Sequence, residues 1–171
     1  MYEIKCQIKG VAPLLHDNPW DIIEGISGKK PGESAYKKFD ERMLYKENGM
    51  CCVPSKHIKG AMKNAARRVK LGRRSALQDI KASFYVKEKM ISLAKKYDFI
   101  DVNVFQSSDG KTKVKERPAF KEGWTLDFTI NVMDDGIPKE KIKECLTIAG
   151  MLFGMGSRRP DFGRFIINKF N

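Results

Sequence analysis

The chain contains few of the residues that build metal centres, disulfide frameworks or nucleotide-cofactor sites. Two histidines and four cysteines occur among 171 residues, and no two cysteines stand in a Cys-x-x-Cys pair. These numbers argue against a structural zinc site and favour buried thiols in a reducing, cytoplasmic setting. The sequence also lacks a Walker motif and a dinucleotide-binding fingerprint, so no cofactor is expected.

Long apolar stretches are also missing. No run approaches the roughly 20 apolar residues that a membrane-spanning helix needs. The first ten residues, MYEIKCQIKG, lack the apolar centre of a signal peptide. The sequence therefore predicts neither a membrane segment nor a membrane partner.

Acidic residues are outnumbered by basic ones. Asp and Glu total 21 against 33 Lys and Arg, a formal net charge of +12. Such an excess predicts attraction to polyanions, foremost nucleic acid. A hydrophobic fraction of 42% is ordinary for a folded chain. We expect one domain over residues 1–171.

The hydrophobic pattern predicts an α+β protein. Strict alternation predicts strands at 2–9 and 124–132 and a terminal strand at 165–170, with a further strand somewhere in 80–105. Helical spacing predicts one helix over 53–72, with Ser55 as N-cap and Gly72 as its end, and another beginning at Pro138. The order is βαββαβ, that of a ferredoxin-like (RRM-like) fold. Insertions are expected near 16–40 and 75–120, the latter containing a projecting hairpin at 100–120, and a second turn is predicted at Asn48-Gly49.

The first predicted helix is strongly basic. No acid occurs between Lys56 and Arg74. Lys59, Lys63 and Arg67 form a row of like charges, which destabilises a helix unless an anion compensates. The row favours a nucleic-acid surface, and an ordinary solvated face remains the alternative.

The segment GMGSRRPDFGRF joins the second helix to the last strand. Its glycines are expected to adopt positive φ and to leave amides bare for phosphate. Its arginines offer guanidinium groups to phosphate, and Phe162 offers a ring to a base. A tight turn with solvated arginines is the alternative. The residues expected to bind nucleic acid are Lys56, Lys59, Lys63, Arg67, Gly154, Gly156, Arg158, Arg159, Phe162 and Arg164.

Two of these segments resemble a known family. VPSKHIKGAMKNAARR is similar to a helix motif of the RAMP superfamily, the RNA-binding proteins of CRISPR systems. FGMGSRRPDFGRF is similar to that superfamily's glycine-rich loop, which also lies between the last helix and the last strand. VAPLLHDNP resembles small phage-encoded proteins of the same fold. The matching positions are Ser55, Lys59, Gly60, Gly154, Gly156, Arg158, Arg159, Phe162, Gly163 and Arg164.

The resemblance implies a modified ferredoxin-like fold that binds single-stranded RNA along its sheet and glycine-rich loop. It also implies that the hairpin at 100–120 is the thumb that separates groups of bases. Copies would then polymerise along a strand as a homo-oligomer or filament, beside other ribonucleoprotein subunits. The chain departs from the family in its short length and in having one copy of the fold.

Three functions remain open at this stage. The first is a non-catalytic protein that binds single-stranded RNA or DNA, with RNA favoured, and that self-assembles. The second is a small metal-independent endoribonuclease with His57 as base and Lys56 or Lys59 as charge stabiliser. The helix N-terminus is expected to depress the pKa of His57. The third is a scaffold for an acidic protein. The resemblance adds Asp17, beside His16 and Asp21 in the early loop, as a candidate for metal-dependent cleavage.

Overall fold

The computed structural model describes residues 1–19 and 36–171. The described strands are β1 Tyr2–Gly10, β2 Leu14–Leu15, β3 Tyr36–Lys37, β4 Lys46–Glu47, β5 Met50–Pro54, β6 Lys70–Leu71, β7 Arg74–Ser75, β8 Phe84–Val86, β9 Met90–Ser92, β10 Phe99–Gln106, β11 Thr112–Phe120, β12 Thr125–Val132 and β13 Phe165–Phe170. The described helices are α1 Ser55–Ala65, α2 Leu77–Ser83 and α3 Lys139–Ile148, with a 3-10 turn at Glu41–Met43 and a π-helical turn at Ala149–Phe153. Within these residues no helix is long and apolar enough to cross a membrane.

The central sheet has the order β13-β1-β12-β8, and its strands are antiparallel. Counted along the βαββαβ pattern, this is the order fourth, first, third, second strand. The predicted ferredoxin-like fold is therefore confirmed. The second strand of the pattern is β8, inside the predicted window of 80–105.

Alternating side chains explain why the sheet buries one face. Ile4, Cys6 and Ile8 of β1 are buried, as are Leu126, Phe128, Ile130 and Val132 of β12. They form one core with the apolar stripes of α1 and α3. The helices also touch directly, since the Cys145 thiol donates to the Met62 carbonyl oxygen at 3.2 Å. Burial raises the pKa of Cys145 to about 12, so this group stays a thiol.

The first helix is shorter than predicted. It begins at Ser55, which is a helical residue and not the N-cap, and ends at Ala65. The chain then turns and forms the β6–β7 hairpin, in which Gly72 supplies a positive φ of 63°. The helix ends early because Val69 is buried and its carbonyl oxygen accepts a hydrogen bond from the Ala76 amide at 2.9 Å.

Both predicted hairpins are present. β10 and β11 pair from Phe99↔Ala119 to Gln106↔Thr112, which is the hairpin expected at 100–120, and we call it the hairpin. Its base joins the body of the fold through β2, which pairs with β11. Asn48 and Gly49 form the other turn, with φ of 49° and 77°. Of the insertion predicted near 16–40, residues 20–35, which include Asp21, lie outside the described residues.

Candidate nucleic-acid interface

The glycine-rich loop, residues 154–164, folds back on itself and on the segment after β1. The Met155 amide donates to the Gly163 carbonyl at 3.0 Å, and the Gly163 amide donates to Pro13 at 2.7 Å. The Ser157 amide donates to Leu15 at 3.1 Å. These bonds fix the loop where the last helix and the early segment meet.

Two of the three glycines use their amides within this packing. Gly154, Gly156 and Gly163 have positive φ, as predicted, with values of 64°, 80° and 75°. The expectation of bare amides is wrong for Gly154 and Gly163, because both are buried and their amides donate to carbonyls within the fold. Gly154 is therefore removed from the set of binding residues. Gly156 stays in the set, because it lines two cavities beside the loop.

The three arginines of the loop have different environments. Arg158 forms an ion pair with Asp101 of the hairpin, with 2.8 Å between Nη1 and Oδ2. Its guanidinium also covers one face of the Phe162 ring, 4.6 Å from the centroid. Arg164 donates through Nε to the Pro160 carbonyl at 2.8 Å. Arg159 is exposed and has no hydrogen bond or ion pair within the described residues.

Two cavities connect the loop to α1. The larger, about 640 Å³, lies between Asn64 of α1 and the loop. The smaller, about 330 Å³, lies between His57 of α1, Tyr45 and the same loop. The larger cavity is lined by Asn64, Leu152, Phe153, Gly156, Ser157, Arg158, Arg159 and Pro160. Two cationic residues of the loop, Arg158 and Arg159, therefore face α1 across the larger cavity.

The predicted cations of the first helix do not all face this cavity. Lys56 lies close enough to His57 to lower its pKa, and Arg159 of the loop adds to the effect. Lys63 is exposed beside Asn64, and Arg67 is exposed in the turn after α1. Lys59 lies over the Phe84 ring of β8, with its Nζ 5.8 Å from the centroid. Successive residues of an α-helix are rotated by about 100°, so Lys59 lies on the side of α1 that faces the sheet edge and not the loop.

His57 is half-buried, with its ring edge-on to Tyr45 at 5.2 Å between centroids. Burial, then Lys56 and Arg159, lower its pKa to about 4. The pKa is thus depressed as predicted, and burial is the largest cause. The imidazole is neutral at pH 7, which suits a proton acceptor and not a proton donor.

Asp17 forms ion pairs with two cationic residues of the hairpin. Its Oδ2 accepts from Lys115 Nζ at 2.6 Å and from Arg117 Nε at 2.9 Å. A divalent metal at this oxygen would have to displace both. The described residues also contain no cluster of three or more His, Cys, Asp or Glu groups able to hold a metal ion. The geometry therefore does not support the candidate role of Asp17 in metal-dependent cleavage.

Burial of His16 predicts that the free energy of unfolding depends on pH. It is 1% exposed, and burial lowers its pKa from 6.5 to about 3. The folded state therefore holds it neutral, while the unfolded state binds a proton below pH 6.5. Its stabilisation is complete above pH 6.5 and decreases as the pH falls. We expect His16 to contribute a loss of about 2 kcal/mol between pH 7 and pH 5 by urea unfolding. His57, whose pKa is also lowered, adds to the slope. His16→Gln, which does not titrate, should therefore lose about 2 kcal/mol less than the wild type over this range. An equal slope in both proteins would contradict the assignment.

Several residues of this region were not predicted from the sequence. Asn64 and Ser157 line cavities, Asp101 pairs with Arg158, and Tyr45 packs against both histidines. A predicted hairpin places Asp101 and Arg117 opposite each other. Nothing in a single sequence indicates which loop will meet them.

Comparison with known proteins supports the fold. No protein-family model matches the chain, and no curated protein matches it. Among solved structures, a chain in the cryo-EM structure of the Type III-B Cmr-beta bound to cognate target RNA is similar, with a TM-score of 0.61 and 16% identity. The match covers 99% of this chain and 59% of that chain, so this chain spans about three fifths of its length. The sequence resemblance is thus confirmed at the level of the fold alone: the chain shares a ferredoxin-like architecture with a chain of this CRISPR complex.

Proposed function

We propose that the chain is a non-catalytic subunit that binds single-stranded RNA in the groove between α1 and the glycine-rich loop. The observation that carries the proposal is that Arg158 and Arg159 line the cavity shared by these two elements, with Lys56 near His57 at the start of α1. Phosphate oxygens would accept hydrogen bonds from these guanidinium and ammonium groups. RNA is favoured over DNA because the similar solved chain belongs to a complex bound to target RNA.

The hairpin extends this proposal to assembly. Val102 and Val104 on β10 are exposed by 57% and 62%. Lys113 of β11 stands opposite Phe105, nearer the tip of the hairpin. A projecting arm with apolar and cationic side chains suits insertion beside a strand or against a neighbouring copy. We propose that copies line up along one strand in a CRISPR-type or phage-encoded ribonucleoprotein, with the hairpin as the separating element.

Competition binding tests the proposal. A labelled single-stranded RNA should be displaced by unlabelled RNA of the same sequence and poorly by duplex RNA or polyglutamate. Its log affinity should fall linearly with log salt, by about 0.7 per phosphate contact. RNA recovered after incubation, with EDTA or with Mg²⁺, should be full length. Displacement by polyglutamate as effective as by RNA would favour the scaffold hypothesis. Cleavage that His57→Ala abolishes would favour the endoribonuclease.

A further inference from the structure

The smaller cavity has a composition that the proposed phosphate contacts do not use. It is about 330 Å³, near the lower end of the size range of ligand pockets, and so suits a single planar group. It lies directly under the glycine-rich loop. Among residues 1–19 and 36–171, its lining includes Asp17, Pro19, Tyr45, His57, Gly156 and Ser157.

Three polar groups in this cavity are available to a ligand. Asp17 uses Oδ2 for Lys115 and Arg117, which leaves Oδ1 without a donor within residues 1–19 and 36–171. The His57 imidazole and the Ser157 hydroxyl likewise have no hydrogen-bond partner among the described residues. A cavity with several convergent polar groups and two aromatic rings is typical of a binding site.

The free acceptor of the lining decides what enters. Lys115 and Arg117 offset the charge of Asp17 through Oδ2, but Oδ1 offers only lone pairs. Phosphate oxygens are also acceptors, so this atom favours an uncharged group rich in donors. Tyr45 and His57 pack edge to face and add aromatic surface to the same cavity.

We infer that the cavity takes a guanine base from the bound strand, an inference that rests on the proposed function. The N1–H and the 2-amino group of guanine are adjacent donors, and both can point at Asp17 Oδ1. Adenine, cytosine and uracil each place an acceptor beside every donor on that edge, and a carboxylate repels it. The His57 N–H or the Ser157 hydroxyl can donate to O6. Arg159, which lines the neighbouring larger cavity, would bind the adjacent phosphate.

Base-substituted oligonucleotides test this inference. The probe is an oligouridine with one central guanosine, compared with the same strand carrying adenosine, cytidine, inosine or uridine there. We expect the guanosine strand to bind about tenfold more tightly than a strand with any other base, a difference in binding free energy of about 1.4 kcal/mol. Inosine lacks the 2-amino group, so its strand should bind more weakly than the guanosine strand.

Asp17 variants assign the effect to the cavity. Asp17→Asn introduces an amide donor and should bring the ratio of guanosine to adenosine affinity close to one. Lys115→Met is the matched control, because it removes one ion-pair partner of Asp17 and keeps the carboxylate. That variant should retain the preference, and thermal melting confirms that both variants are folded. Inosine discrimination by the wild type does not depend on either variant folding.

Failure of the guanine inference can be distinguished from failure of the proposed function. Equal binding of all five strands would overturn the guanine cavity and leave the proposed RNA binding standing. A preference for another base, or a ratio that survives in folded Asp17→Asn, would also overturn it. If no strand binds at all, the proposed function itself fails.

Discussion

Alanine at Arg158, Arg159 and Arg164 together should weaken binding of single-stranded RNA at least tenfold, or about 1.4 kcal/mol. Arg159 has no partner within the described residues and can give its full charge to phosphate, whereas Arg158 must share its guanidinium with Asp101. Arg164 keeps donors free beyond the Nε that binds Pro160. A fluorescence-anisotropy titration at fixed salt measures the effect.

The control removes the same charge elsewhere. Lys139 and Lys143 both lie over the Phe170 ring at 5.8 Å, at the opposite end of β13 from the loop, and Lys169 is next to that ring in the chain. Alanine at these three lysines should reduce the affinity much less. Equal losses in the two triple variants would mean that net charge alone attracts RNA, and the loop would then not be the site.

Gly163→Ala should be the most destabilising single change in the loop. Gly163 has φ of 75°, and a Cβ there would overlap the Met155 carbonyl, which belongs to the backbone. Left-handed backbone strain and overpacking each cost about 1–3 kcal/mol, so we expect the free energy of unfolding to fall by on the order of 3 kcal/mol. Chemical denaturation measures it.

Gly60→Ala is the matched substitution in the same interface. Gly60 lies inside α1, and a Cβ there meets nothing within 4 Å. Replacing a helical glycine by alanine should raise stability by about 0.5–1 kcal/mol. If Gly163→Ala were as stable as the wild type, the close packing of the loop on Met155 would be refuted.

The sheet was predictable because alternation is a local property of the sequence. Ile4, Cys6 and Ile8 indicate a half-buried strand without knowledge of its partners, and Trp124 to Val132 do the same. The order of elements then leaves few topologies. The end of α1 was not predictable, because it depends on Val69 finding a place in the core and not on helix propensity.

The site was only partly predictable for a related reason. Residue type indicated that Arg158 and Arg159 suit phosphate, but the two differ through contacts with residues far away in the chain. Asp101 is 57 positions from Arg158, and Lys115 is 98 positions from Asp17. The same holds for Gly156, whose close neighbour is the carbonyl of Leu15.

The two margins of the central sheet restrict how copies can associate. β8 has three residues, and β13 contains a bulge, since its register against β1 shifts between Gln7 and Ile8. Short or bulged outer strands are poor templates for continuous main-chain pairing between molecules. A polymer of this protein would therefore not grow as one extended sheet. Its length would be set by the strand it coats, so that removing the nucleic acid should return it to separate molecules.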